Sequence, residues 1–306
     1  MAGTNRKPHS QLGAYLALFS GLIALGFSAI FVRLADVPGS VASFYRMAIG
    51  LLSLTIPFLY HRRGKPVPSW NVARIALLGG VFFAIDLIFW ATGVVLSGAT
   101  NPTLMSNTAP LWVGLGSLLI FQERLPGRFW IGLLVAMSGA VLVLGIDALK
   151  SFDLGLGTLF GLIAGIFYGG YFLITQRGRR ELDAITYFWF SALGAVIVIF
   201  VINLVLGNPL LGYSNRSYLA LIGLGVISQG LGWLAINYAQ GHLPATVVSP
   251  TLLGQPVLTG LIAGPLLGEF LEPLQIAGGL AVLAGVYLVH RSRIARVGRQ
   301  SRSRQG

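Results

Sequence analysis

Residues 100–123, TNPTLMSNTAPLWVGLGSLLIFQE, and residues 246–269, TVVSPTLLGQPVLTGLIAGPLLGE, decide the fold between them. Laid one over the other they align Thr100 with Thr246, Pro110 with Pro256, Gly114 with Gly260 and Glu123 with Glu269. Proline and glutamate stand 13 residues apart in both, a match harder to assign to chance than one of glycines and leucines. Each stretch is also an apolar run long enough to cross about 30 Å of hydrocarbon at ~1.5 Å per residue.

The register extends outward from this pair. An offset of 146 also aligns Gly79 with Gly225, Ala99 with Ala245, Leu125 with Leu271, Gly132 with Gly278 and Gly139 with Gly285. Further upstream an offset of 144 aligns Leu12 with Leu156, Gly13 with Gly157, Gly21 with Gly165, Gly26 with Gly170, Ile30 with Ile174, Arg33 with Arg177, Phe44 with Phe188 and Gly50 with Gly194. A fixed-period repeat over the whole chain sets the architecture. Apolar runs fall at 12–32, 40–60, 72–95, 100–121, 129–146, 155–176, 184–206, 217–238, 244–267 and 273–290. They are continuous, not alternating, so the backbone satisfies itself as helices and not as a barrel. The expectation is an all-α membrane protein of ten transmembrane helices, with repeats over 1–150 and 151–292 and a basic tail over 293–306. Five spans per half is an odd number, so the second repeat must insert upside down relative to the first.

Composition agrees with lipid as the solvent. Of 306 residues 55% are hydrophobic and 10% are charged, against about 25% charged in a soluble domain. The run from Leu12 is too long for a signal-peptide core and reads as a retained first helix. Without cysteine the chain has no disulfide, thiolate chemistry or Cys-type metal site. A net charge of +12 raises nucleic acid as a partner, but its placement argues for a membrane surface. Arg291, Arg293, Arg296, Arg299, Arg302 and Arg304 follow the last span, where a polybasic tail meets anionic headgroups. With a cytoplasmic N-terminus, seventeen basic residues lie inside, and only Arg33, Lys150 and Arg216 lie in outer loops. That bias predicts that both termini are cytoplasmic.

Phe44-Tyr45-Arg46 early in the second span, Pro110 to Glu123, and Pro256 through Gly268-Glu269 into Leu280-Ala281-Val282-Leu283-Ala284-Gly285-Val286 resemble the drug/metabolite transporter superfamily of the EamA type. Within it the sequence is most similar to the YddG-type amino-acid exporters. The resemblance covers nearly the whole chain and implies outward movement of aromatic and other neutral amino acids, or similar metabolites, across a bacterial inner membrane. It implies no cofactor.

Pro110 and Pro256 each remove one helix hydrogen bond mid-span and free the carbonyls of Ser106 and Leu252. Matched helix breaks in inverted repeats point to a transport site, although such a kink can also serve packing alone. Ser106, Asn107, Thr108, Thr251 and Gln255 cluster around these breaks. Arg46 and Asp86 are the ionisable side chains well inside the spans. Asp86 stands about 21 Å up from the cytoplasmic end and Arg46 about 9 Å down from the outer end, at the same depth, so they can pair. Two readings follow: a structural bridge, or an Asp86 that carries protons or binds substrate. Mid-span Phe83, Tyr168, Tyr171 and Trp233 are candidate cavity walls beside Gln229, with core packing as the alternative. Gly157, Gly161, Gly165 and Gly169 make one smooth helix face, for a neighbouring helix to seat on or slide along.

Other classes fare worse. The histidines, His9, His61, His242 and His290, lie in loops or at span ends with no H-E-x-x-H, which argues against an enzyme or a metal site. No run of repeated polar groups suggests a channel filter. A drug-cation exporter remains the rival within the transporter class, and it requires an unpaired mid-depth carboxylate.

Overall fold

In the computed structural model, which describes residues 8–97, 100–144, 155–268 and 270–302, ten helices are long and apolar enough to span a membrane. They are α1 (Gln11–Ala35), α2 (Gly39–Arg62), α3 (Trp70–Ser97), α4 (Thr100–Ile120), α5 (Gly127–Leu144), α6 (Leu156–Gly178), α7 (Ala184–Val205), α8 (Asn215–Gln240), α9 (Ala245–Leu266) and α10 (Pro273–Ser292). Each expected span overlaps one of them. Glu269, the outer loop at 147–154 with Lys150, Arg6 and Lys7 lie outside the described residues, as does Arg304 of the tail; the helix itself runs on to Arg302.

Local chemistry sets several ends. Asp183 caps α7 by accepting from the Thr186 amide (3.0 Å), and Ser214 caps α8 by accepting from Ser217 (3.1 Å). Gly268, at φ 73°, stops α9 in the left-handed conformation that glycine adopts at no steric cost. Four spans are irregular. α1 breaks at Phe27 between Gly26 and Ser28. α4 stops at Ser106 and resumes at Ala109; α9 passes through a 3₁₀ turn, Leu252–Gly254, and resumes at Gln255. Pro110 and Pro256 thus sit in the first turn of a restarted helix, where a missing N–H costs nothing. Residues Leu224–Gly232 of α8 form a π-helical segment.

α5 and α10 pack backbone to backbone. A methyl added at Gly132 would lie 2.8 Å from the Gly285 carbonyl oxygen, and one at Gly139 would lie 2.6 Å from that of Gly278. These glycines are repeat equivalents, and the pairing of earlier with later residues makes the two helices antiparallel. This corresponding pair of the two halves therefore runs in opposite directions, as inverted repeats require. Small residues do the same elsewhere: Gly194 of α7 sits on the Leu77 carbonyl of α3, since close approach drives helix association in lipid.

The largest buried cluster joins α1, α2, α3, α4, α6, α7, α8 and α9 and includes Phe83, Tyr171, Phe172 and Trp233. A second joins α5, α9 and α10 around Phe129, Leu133, Leu253 and Val282. Outward faces carry exposed Leu52, Ile56, Leu119, Leu134, Leu204 and Leu280, which in a membrane meet acyl chains.

The cysteine-free chain permits a direct test of orientation. Single cysteines at Lys65 and at Leu211 are expected to react with an impermeant maleimide from opposite faces, Lys65→Cys from the cytoplasm. Labelling of both from one face would remove the proposed topology.

Candidate functional site

Side chains from α2, α3, α6 and α8 converge on one interior region. Phe83 of α3 stacks on Tyr171 of α6 at 4.7 Å between centroids and lies 4.8 Å from Trp233 of α8. Tyr168 stands 6.2 Å from Phe83 and 6.1 Å from Trp233. The four expected aromatics therefore form a single cluster. Phe172, a span aromatic with no sequence pattern that marks it as a cavity wall, completes it, 4.9 Å from Tyr168. Trp233 is 2% exposed and its indole N–H has no hydrogen-bond partner among the described residues. Asn237, one turn on, donates to Tyr171 Oη (3.3 Å) and to the Trp233 carbonyl (2.8 Å).

Arg46 reaches this cluster from α2. Its Nε donates to Gln229 Oε1 at 3.0 Å, and its guanidinium carbon lies 6.0 Å from the Phe83 ring centroid, a cation–π approach. Gln229 and Phe83 are buried, yet Arg46 and Tyr168 are only half-buried. Only the Nε of Arg46 is bonded: the four terminal N–H groups have no protein acceptor among the described residues.

The direct bridge expected between Arg46 and Asp86 is not formed. Asp86 is 6% exposed and within electrostatic reach of Arg46 and Tyr168, but no guanidinium nitrogen comes within 4.0 Å of its carboxylate. The reason is local. Gln229, projected from the π segment of α8, occupies Arg46, while Phe83, one turn before Asp86 on α3, holds the guanidinium over its ring. Depth along two helices is readable in sequence, but the azimuth at which a π turn presents its side chains is not.

The helix breaks gather differently. Ser106, Asn107 and Pro110 lie where α4 crosses α6, and the glycine face of α6 seats that crossing. An added methyl at Gly165 would meet the Met105 carbonyl and Thr108 Oγ1, both at 2.8 Å; one at Gly169 would meet the Ala109 carbonyl at 3.1 Å. Asn107 keeps a buried amide nitrogen without a partner, and Thr108 accepts from the Trp112 indole (3.0 Å). At the second break the polar groups are occupied. Thr251 bonds to the Val247 carbonyl (2.7 Å) and His290 Nε2 (2.8 Å), and Gln255 donates to the Leu25 carbonyl (3.3 Å) beside Pro256. His290, read as a span-end residue, is thus a link between α9 and α10.

Glu123 also links helices. It accepts from Gln176 of α6 (3.3 Å) and from Thr246 of α9 (3.5 Å), and the Gln176 amide oxygen accepts from the Ala245 amide (2.5 Å). Arg179 adds a bond to the Asn237 carbonyl (2.7 Å). These contacts tie the ends of α4, α6, α8 and α9 on the face that the charge bias assigns to the cytoplasm.

Ten apolar helices in two antiparallel halves, with broken helices and a charged aromatic interior, define a polytopic membrane protein of the repeat-built transporter class. The EamA-like transporter family matches residues 11–145 and again 155–291, and the chain belongs to that family. Relatives include the uncharacterised transporter YdfC of Bacillus subtilis, 24% identical over 92% of this chain and 91% of that one. An uncharacterised transporter of Archaeoglobus fulgidus is 26% identical, covering 90% and 95%. The pseudopaline exporter CntI of Pseudomonas aeruginosa is 24% identical, covering 85% and 88%. A solved crystal structure matches with a TM-score of 0.78 at 18% identity over 91% of this chain and 97% of that one, a likeness of fold.

Proposed function

We propose that this chain exports neutral amino acids, aromatic and others, or similar zwitterionic metabolites from the bacterial cytoplasm. Export proceeds by alternating access through the interior between the repeats 1–150 and 151–292, with the 293–306 tail on the inner-leaflet headgroups. The observation that carries this reading is the half-bonded Arg46 guanidinium beside an aromatic cluster, with Asp86 nearby but not bound to it. A carboxylate fits the terminal N–H groups of Arg46 in the bidentate geometry of guanidinium recognition. An ammonium group fits Asp86, and Phe83, Tyr168, Tyr171 and Trp233 accept a bulky apolar side chain. One positive and one negative pole beside a single aromatic cluster match a zwitterion and leave a net-neutral site occupied. The CntI relative supports the outward direction by its name as an exporter.

Efflux of cationic drugs is the second reading, because Asp86 is not bridged. Liposomes containing the purified protein and loaded with labelled phenylalanine, tryptophan, methionine or threonine are expected to show saturable release. Quaternary-ammonium drugs are expected to compete weakly. Saturable release of the drugs with none of the amino acids would overturn the proposal and leave the family assignment intact.

A further inference from the structure

A cavity of about 510 Å³ lies apart from the aromatic cluster, between the ends of α3, α4 and α6 on the face assigned to the cytoplasm. That volume is within the ~300–1,000 Å³ range of sites that bury a small ligand. Its walls are apolar: Val72, Ile75, Leu78, Ile120, Leu173 and Ile174. Leu78 and Ile120 are exposed on spans, so the cavity opens sideways toward the bilayer and not only toward water.

Its rim is basic. Arg74 stands in the second turn of α3 and Arg177 in the last turn of α6, both exposed, and neither is bonded to a protein group among the described residues. Asn71 and Glu181 share the rim. Glu181 forms no ion pair with either arginine among the described residues. A third cation, Arg180, lies 5.2 Å from the Phe121 ring that floors this end. The rim thus carries two guanidinium groups against one carboxylate, with the third cation beside it. Exposed Trp70, at the start of α3, sits where interfacial aromatics mark the headgroup level.

An apolar cleft open to the acyl region beneath free arginines at headgroup depth has the polarity of one class of molecule. We propose that it is a binding site for an anionic phospholipid of the inner leaflet, whose phosphate bridges Arg74 and Arg177 while one acyl chain fills the cleft between α3, α4 and α6. A free phosphate ion would use the rim and leave the apolar walls uncovered. A zwitterionic lipid would bring an ammonium group against a rim of net positive charge. The occupant also packs against α4 and α6, the two helices that meet at the α4 break. The site rests on the orientation of the helices and not on which solute is transported.

The test is native mass spectrometry of the full-length protein, purified in detergent and titrated with phosphatidylglycerol or phosphatidylcholine of identical acyl chains. The wild type is expected to retain phosphatidylglycerol preferentially. Arg74→Gln/Arg177→Gln is expected to weaken that retention about thirtyfold, on the scale of two basic residues at an anionic leaflet. Arg63→Gln/Arg128→Gln, with the same charge change away from the cavity, is expected to retain it. Leu78→Trp, which fills the cleft and keeps both arginines, is expected to lose the lipid as well. Equal loss in the two double variants would reduce the effect to general surface charge and overturn the site. Retention undiminished in Leu78→Trp, or displacement of the lipid by millimolar inorganic phosphate, would overturn the acyl-chain half of the proposal.

Discussion

Gly139→Leu is expected to abolish a stable fold, with the monodisperse fraction in detergent falling roughly a hundredfold. At this position a new Cβ would stand 2.6 Å from both the Gly278 carbonyl oxygen and the Val282 amide nitrogen, and 3.0 Å from the Ala281 carbonyl carbon. All three are backbone atoms of α10, so no flexible side chain can turn aside. Overpacking of a tight core costs about 1–3 kcal/mol and more where nothing yields, and a helix pair held by close approach in lipid has no hydrophobic force to restore it. Gly127→Ala, at the start of the same helix with nothing within 4 Å of the new methyl, is expected to behave as wild type. Unchanged elution and thermal midpoint for Gly139→Leu would mean that α5 and α10 do not cross through their glycines.

Arg46→Gln is expected to raise KM for a transported neutral amino acid by about tenfold to a hundredfold, with maximal rate changed far less. A hydrogen bond to a charged group is worth about 1.5–3 kcal/mol. An anchor that holds the carboxylate throughout the cycle contributes uniform binding, whose loss falls on KM. Arg46→Lys keeps the charge without the planar fork and is expected to lie between. KM unchanged at normal membrane abundance would remove Arg46 from substrate recognition. Asp86→Asn in the same assay separates two roles: a raised KM alone marks contact with the substrate ammonium, whereas loss of dependence on an imposed proton gradient marks proton carriage.

The architecture was legible because it is written in properties that survive without side-chain detail. Span length follows from apolar runs, and inversion follows from five spans per half. Glycines that must touch across α5 and α10 had already shown themselves as repeat pairs. The convergence of Phe83, Tyr168, Tyr171 and Trp233 was accessible too, since mid-span depth and aromatic character select the same residues. Two things were not legible. The partner of Arg46 depends on rotation about the axis of α8, which a π-helical segment resets, and its only sequence trace is the run of glycines at 223, 225, 230 and 232. Whether a polar side chain near a break faces a chamber or a neighbour depends on which carbonyl lies opposite, as Gln255 shows by bonding to Leu25.

The π segment of α8 has a counterpart that is missing from the other half. α3, the repeat equivalent of α8, runs from Trp70 to Ser97 as unbroken α-helix, and Phe83 stands there in the position that Gln229 holds in α8. In a molecule of exact two-fold symmetry, the states open to either side would be related by that rotation and equal in free energy, populated one to one. Here one helix of the pair is wound differently and offers an amide where its twin offers a ring, so that degeneracy is lifted. Under the proposed alternating access the resting population is therefore weighted toward one face before any solute or gradient acts, and a bound ligand shifts it only by its difference in affinity for the two states.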